Sequence, residues 1–228
     1  MERSLKKFKY VDGLPTLHPL DTDESTGERF YITPNGVKLP SVTTVLGYFK
    51  KKSLIEWRNR IGNEEADKVM YRASNRGTRF HNMMEGYLRN EDDFLNGVMP
   101  DMRQAFNDMK ETLDLIDNIR YIESPLFSEK LGVAGRTDVI AEFAGVPSII
   151  DFKTSTKEKK EAWIDNYFEQ GTAYKLMYEE LTGEPINQIV ILISVDFMEH
   201  PQVFIRDPNQ YVGSLLEKIH LYKIENAK

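Results

Sequence analysis

Apolar and polar positions change rhythm along this chain, and each rhythm predicts a different kind of element. Up to residue 40, Pro15, Pro19, Pro34, Pro40 and the pair Asn35-Gly36 interrupt short apolar runs, which predicts short strands and a hairpin leading to Ser41. Helical spacing then takes over. Ser53-Leu54-Ile55-Glu56 has capping-box spacing and predicts a helix beginning near Trp57 and running towards Tyr71. Phe80, Met84, Tyr87 and Leu88 form one apolar stripe; Met102, Phe106, Met109, Leu113 and Ile116 form another within Asp101 to Ile119. Ser41, Thr43 and Thr44 can cap this helical region or touch phosphate. From Tyr121 onward the rhythm is that of strands, at Tyr121 to Phe127, Thr137 to Phe143, Val146 to Phe152, Gln188 to Val195 and Val203 to Arg206. Helices are predicted from about Glu161 to Leu181 and from Tyr211 to Ile224. The expected fold is α/β, a single domain over residues 1–228 with a mixed central β-sheet flanked by helices. Residues 1–120 would supply the hairpin and a helical arch, and residues 121–228 the sheet core and closing helix.

Candidate chemistry concentrates between Gly135 and Lys153. Gly135-Arg136-Thr137-Asp138 opens one predicted strand, Ile149-Ile150-Asp151-Phe152-Lys153 closes the next, and Ala144-Gly145-Val146-Pro147 turns between them. Asp138 then lies at the start of one strand and Asp151 at the end of its antiparallel neighbour, so the two carboxylates are adjacent and can share a cation. Side chains two apart share a strand face, which brings Lys153 to the side of Asp151 and turns Phe152 into the core. Two carboxylates and an ammonium suit a divalent metal site that cuts a phosphodiester.

Further motifs accompany this one. Arg76-Gly77-Thr78-Arg79-Phe80-His81 lies on the predicted helix, with Glu85 one turn beyond His81 in a position to fix the imidazole tautomer, and Gly77 leaving room for a neighbouring backbone. Gln170 and Tyr174 share a helix face with Tyr167, where the aromatics also suit a core. In order and spacing these motifs, from residue 76 to 174, resemble the RecB-like branch of the PD-(D/E)XK nuclease superfamily. Within it the chain is most similar to the mitochondrial genome maintenance and compact bacteriophage exonucleases, through the segment Ser41 to Leu46 and the absence of a fused helicase.

The resemblance implies that His81, Asp138, Asp151 and the main-chain carbonyl of Phe152 ligate Mg²⁺ or Mn²⁺. It makes Asp138, Asp151 and Lys153 catalytic, and it places Gln170 and Tyr174 on the substrate strand. Glu123 stands where some relatives carry another acidic residue. The implied activity is a metal-dependent DNA exonuclease working from single-stranded ends in replication, recombination or repair. The alternatives are a duplex-end or flap nuclease and a catalytically silent end-binding subunit. On the residues alone, Lys153 is expected to position water and stabilise negative charge, because nearby carboxylates favour its charged form.

Composition narrows the setting. With 228 residues, 40% of them hydrophobic, the chain can bury one substantial core. It has no cysteine, which excludes a disulfide framework, a cysteine nucleophile and a thiolate-held iron–sulfur cluster. No apolar run has membrane-spanning length, and Met1 to Lys7 lacks the apolar stretch of a secretion signal. The expected location is the cytoplasm of a bacterial or phage-infected cell, or an organelle. A net charge of −6 places any DNA contact on local basic groups. Arg76 and Arg79, with Arg72, lie along the His81 helix and are the first choice for phosphate contacts. Lys157, Lys159 and Lys160 come second, and Lys50-Lys51-Lys52 is a further candidate patch.

Overall fold

The computed structural model describes residues 5–226, so Met1 to Ser4 of the N-terminal stretch lie outside the described residues. Three short antiparallel strands come first, β1 (Asp21–Asp23), β2 (Phe30–Ile32) and β3 (Lys38–Pro40). Asn35-Gly36 makes the β2–β3 turn, where Gly36 takes a φ of +79° that favours glycine. Ser41 caps α1 (Val42–Tyr48), its hydroxyl accepting the Thr44 N–H at 2.9 Å.

The expected helix from Trp57 to Tyr71 is two helices. α2 (Lys51–Ile61) starts before Ser53, with no side-chain cap, and ends at Gly62, whose φ of +87° no helix can continue. α3 (Asn63–Leu88) then runs for 26 residues. Arg58 reaches back to Asp67 at 2.7 Å, so the two helices fold against each other. α2 buries none of its residues, and α3 buries only Ala66 before Phe80. α4 (Pro100–Leu113) stops short of the predicted Ile119, because Ile116 already belongs to the sheet. An apolar residue is required at either position, so spacing alone carried the helix too far.

The main sheet comprises β4 (Ile116–Ser128), β5 (Val133–Phe143), β6 (Val146–Ser155), β7 (Gln188–Val195) and β8 (Gln202–Arg206), in that spatial order. β6 and β7 run parallel and the other pairs antiparallel, so the sheet is mixed. α5 (Asp165–Thr182) makes the crossover between the parallel strands, after a short 3-10 turn at Glu161–Trp163, and α6 (Val212–Asn226) closes the chain. Alternate residues feed opposite layers. Val139, Ala141, Ile150 and Phe152 pack with Phe80 and Met84 of α3 and Phe106 and Met109 of α4, whereas Ile140 and Ile149 pack with Ala173, Tyr174 and Met177 of α5. This two-layer cover is the α/β architecture expected from the alternation of strand and helix rhythms.

Pairing between β5 and β6 runs from Phe143↔Val146 to Val139↔Ile150 and ends there. The turn needs only Ala144 and Gly145, both at positive φ, with Val146 and Pro147 already in β6. Beyond Val139 and Ile150, β5 continues beside β4 and β6 beside β7. The sheet therefore forks. Asp138 and Asp151 lie inside their strands rather than at the tips, at the point where the shared ladder stops.

Candidate metal centre

The fork is where several of the candidate side chains meet. Asp138 Oδ2 accepts the Phe152 N–H at 2.8 Å, so a side chain holds the two strands where the main-chain ladder has ended. Lys153 Nζ donates to Asp151 Oδ1 at 2.6 Å. It also lies 2.5 Å from Oδ2, but without hydrogen-bond geometry, leaving that buried oxygen with no donor. The ammonium is further placed 5.2 Å from the centre of the Tyr167 ring.

Two elements from outside the β5–β6 hairpin complete the group. α3 presents His81, whose ring stands edge-on to buried Phe152 with centroids 6.5 Å apart. Its Nδ1 lies 3.5 Å from Asp138 Oδ1 and 3.6 Å from Glu123 Oε1. Glu123 enters from β4 at a φ of +46°, a sparsely populated conformation for a residue with a side chain. Ligating atoms of His81, Glu123 and Asp138 all lie within 4.8 Å of one another, a spacing at which they can hold a metal ion. Asp151 stands beside this trio, drawn to Lys153.

The charges in the fork are strongly interdependent. Burial opposes the charged form of His81, yet the Asp138 and Glu123 carboxylates outweigh it and carry the imidazole up to about 10. Burial also opposes ionised Asp138, but His81, Lys153 and the Phe152 N–H together hold its pKa below the ordinary aspartate value. Asp151 goes the other way: burial and the neighbouring Asp138 overcome the attraction of Lys153 and raise it to about 6. Burial alone would depress Lys153, and the two aspartates reverse this and raise it. An ammonium so held is a donor and a positive charge at neutral pH.

The other predicted site residues fall into place unevenly. Gln170 Nε2 donates to the Tyr174 hydroxyl at 3.2 Å; Gln170 is half-buried, whereas Tyr174 is buried in the layer between sheet and α5. Gly135 explains itself against that ring, since a Cβ there would come within 2.7 Å of Tyr174 Cε1. Glu85 is bonded to Arg89 at 2.9 Å rather than to His81, whose ring nitrogen faces Glu123 and Asp138 instead. A Cβ on Gly77 would meet nothing within 4 Å, so no backbone approaches it; it borders an open cleft. Arg76 points to Asp196 at 2.5 Å, while Arg79 is exposed. The cleft over His81 and Glu123 is also bordered by Arg29, Tyr31 and Arg136, to which the sequence reading gave no role. For Arg136 a signal existed, because it lies two residues before Asp138 on the same strand face. For Arg29 and Tyr31 the link is purely tertiary: Ser41 bridges to Ala134 and brings the small N-terminal sheet to the start of β5.

No family model matches this chain. It is 27% identical over 137 residues to mitochondrial genome maintenance exonuclease 1 of Homo sapiens, and 26% identical over 129 residues to that of Mus musculus. Each match takes in 53% of this chain and 38% of the relative, so the chain matches less than two fifths of the relatives' length. Among solved structures, that of SSO0001 aligns with a TM-score of 0.40 at 14% identity, over 79% of this chain and 74% of that one.

Proposed function

We propose that this chain is a divalent-metal-dependent deoxyribonuclease of the RecB-like branch, an exonuclease that hydrolyses DNA from single-stranded ends. The observation that carries the reading is the convergence of His81, Glu123 and Asp138 beside the Asp151–Lys153 pair. The similarity to two exonucleases supports the same class of reaction. Two or three carboxylates with one imidazole are a hard, mainly oxygen donor set, which fits Mg²⁺ or Mn²⁺, and the buried Asp151 oxygen without a donor offers one more oxygen.

His81, Glu123, Asp138 and Asp151, with the Phe152 main-chain carbonyl, would hold the ion. When bound, it supplies an activated water and neutralises charge on the phosphoryl group. Lys153, being charged, orients the attacking water through a donated hydrogen bond and stabilises the negative charge that grows on the phosphoryl oxygens. Gln170, steadied by the Tyr174 hydroxyl, holds the substrate strand, and Arg79 on α3 meets its phosphates, joined by Arg76 where the substrate displaces Asp196 from it. The folded-back α2–α3 pair serves as the arch over the substrate's entry, within one nuclease domain that spans the chain.

The test is a comparison of linear single-stranded DNA with covalently closed circles of the same sequence. The expected result is degradation of the linear form alone, with Mg²⁺ or Mn²⁺ present and abolished by EDTA. Cutting of closed circles would contradict the exonuclease, and cutting in EDTA the metal dependence.

A further inference from the structure

The cleft over the candidate metal centre has a volume of about 540 Å³ and contains two arginines, Arg29 and Arg136. Arg29 is already engaged, its Nε 2.6 Å from Glu24 Oε1. On α3, Arg76 is likewise paired with Asp196. Arg136 differs from both: it is exposed, and its guanidinium has no hydrogen bond or ion pair to any described residue. It stands on β5 two residues from Asp138, and therefore on the same face of the strand.

An unpaired guanidinium at this place has an unusual setting. Of the cleft's glutamates, Glu24 is paired with Arg29 and Glu85 with Arg89, and a polyanion entering the cleft needs a fixed positive charge that no protein carboxylate has already neutralised. The planar fork of an arginine matches two phosphate oxygens at once. We propose that Arg136 positions the substrate by gripping the backbone phosphate next to the scissile one. The inference rests on the nuclease reading of the same site and adds a residue which that reading does not use.

The experiment compares the full-length protein with Arg136→Ala and Arg136→Lys on a single-stranded oligonucleotide in Mn²⁺, following cleavage, binding by anisotropy and its salt dependence. A second oligonucleotide carries a neutral methylphosphonate beside the scissile linkage. Arg136→Ala should raise KM and Kd about tenfold, the effect of one charged hydrogen-bonded contact. It should hold kcat within about twofold and lower the salt slope by about one. The methylphosphonate should weaken the wild type by a similar factor and the alanine variant no further, while lysine restores part of the loss. Unchanged KM, Kd and slope in Arg136→Ala, beside a wild type that cuts, would overturn the Arg136 role and leave the nuclease standing. A collapse of kcat at constant KM would also overturn it. A wild type that binds without cutting would instead remove the nuclease reading, and the binding slope of Arg136→Ala would still decide the phosphate contact. A wild type that neither binds nor cuts would overturn both.

Discussion

Asp151 and His81 carry opposite lessons about the same buried fork. Asp151 is pushed up to about 6 chiefly by burial, and His81 is carried up to about 10 by the carboxylates that face it. A divalent cation binds deprotonated ligands, so it competes with the His81 proton throughout the neutral range and with the Asp151 proton below about pH 6. Mn²⁺ affinity should therefore rise with pH, with about one proton released per ion near neutrality and more in acid. Calorimetry in buffers of different ionisation enthalpy reads this directly; no proton release at pH 7 would remove His81 from the ligand set. Lys153 answers to a different measurement. Lys153→Ala should lower kcat by ~100-fold or more, the scale of losing one preorganised donor to the reacting group, with a much smaller effect on DNA affinity. Equal losses in both would make the lysine a binding residue.

At the scale of elements, the fork depends on how closely α5 lies on β5. Gly135 leaves the space that the Tyr174 ring fills, and a Cβ there would stand 2.7 Å from Cε1. Gly135→Ala should cost ~1–3 kcal/mol of stability through overpacking, seen as a lower denaturation midpoint at constant m-value. It should also reduce activity by shifting Tyr174 and the Gln170 it steadies. Gly171→Ala, which would meet Ile189 Cγ2 of β7 at 2.6 Å, should destabilise to a similar extent without that added loss of activity. Equal activity losses in the two variants would uncouple Tyr174 from the site.

These contacts also mark what the sequence could disclose. The β5–β6 hairpin, the α5 crossover and β7 were legible because each is continuous in the chain and its period matches its burial. The break at Gly62 was hidden, since an isolated glycine leaves a helical pattern intact. The acids were legible from the strand ends they were thought to occupy, but the reason they sit together is the fork, which only inter-strand pairing reveals. Glu123 was placed by resemblance alone, as its unusual backbone conformation leaves no mark on the local pattern. Glu85 was assigned to His81 by helical spacing, and spacing equally permits the Arg89 partner it has.

For the molecule as a whole, a net charge of −6 is compatible with a nucleic-acid substrate only if positive charge is placed where it counts. His81 and Lys153 lie in the fork, Arg136 beside it and Arg79 along α3, while carboxylates dominate the total. Among the described residues, no helix is long and apolar enough to cross a membrane. The proposed function requires that the fork hold a cation that enables DNA hydrolysis. Its most direct test is a time course on single- and double-stranded DNA labelled separately at the 5′ and 3′ ends, with Mg²⁺, Mn²⁺ or EDTA, for wild type beside Asp151→Asn. The expected result is a metal-dependent ladder from single-stranded ends that is absent in EDTA and absent in a folded Asp151→Asn. Cleavage by Asp151→Asn at the wild-type rate, or tight EDTA-resistant binding without any cleavage by the wild type, would contradict it.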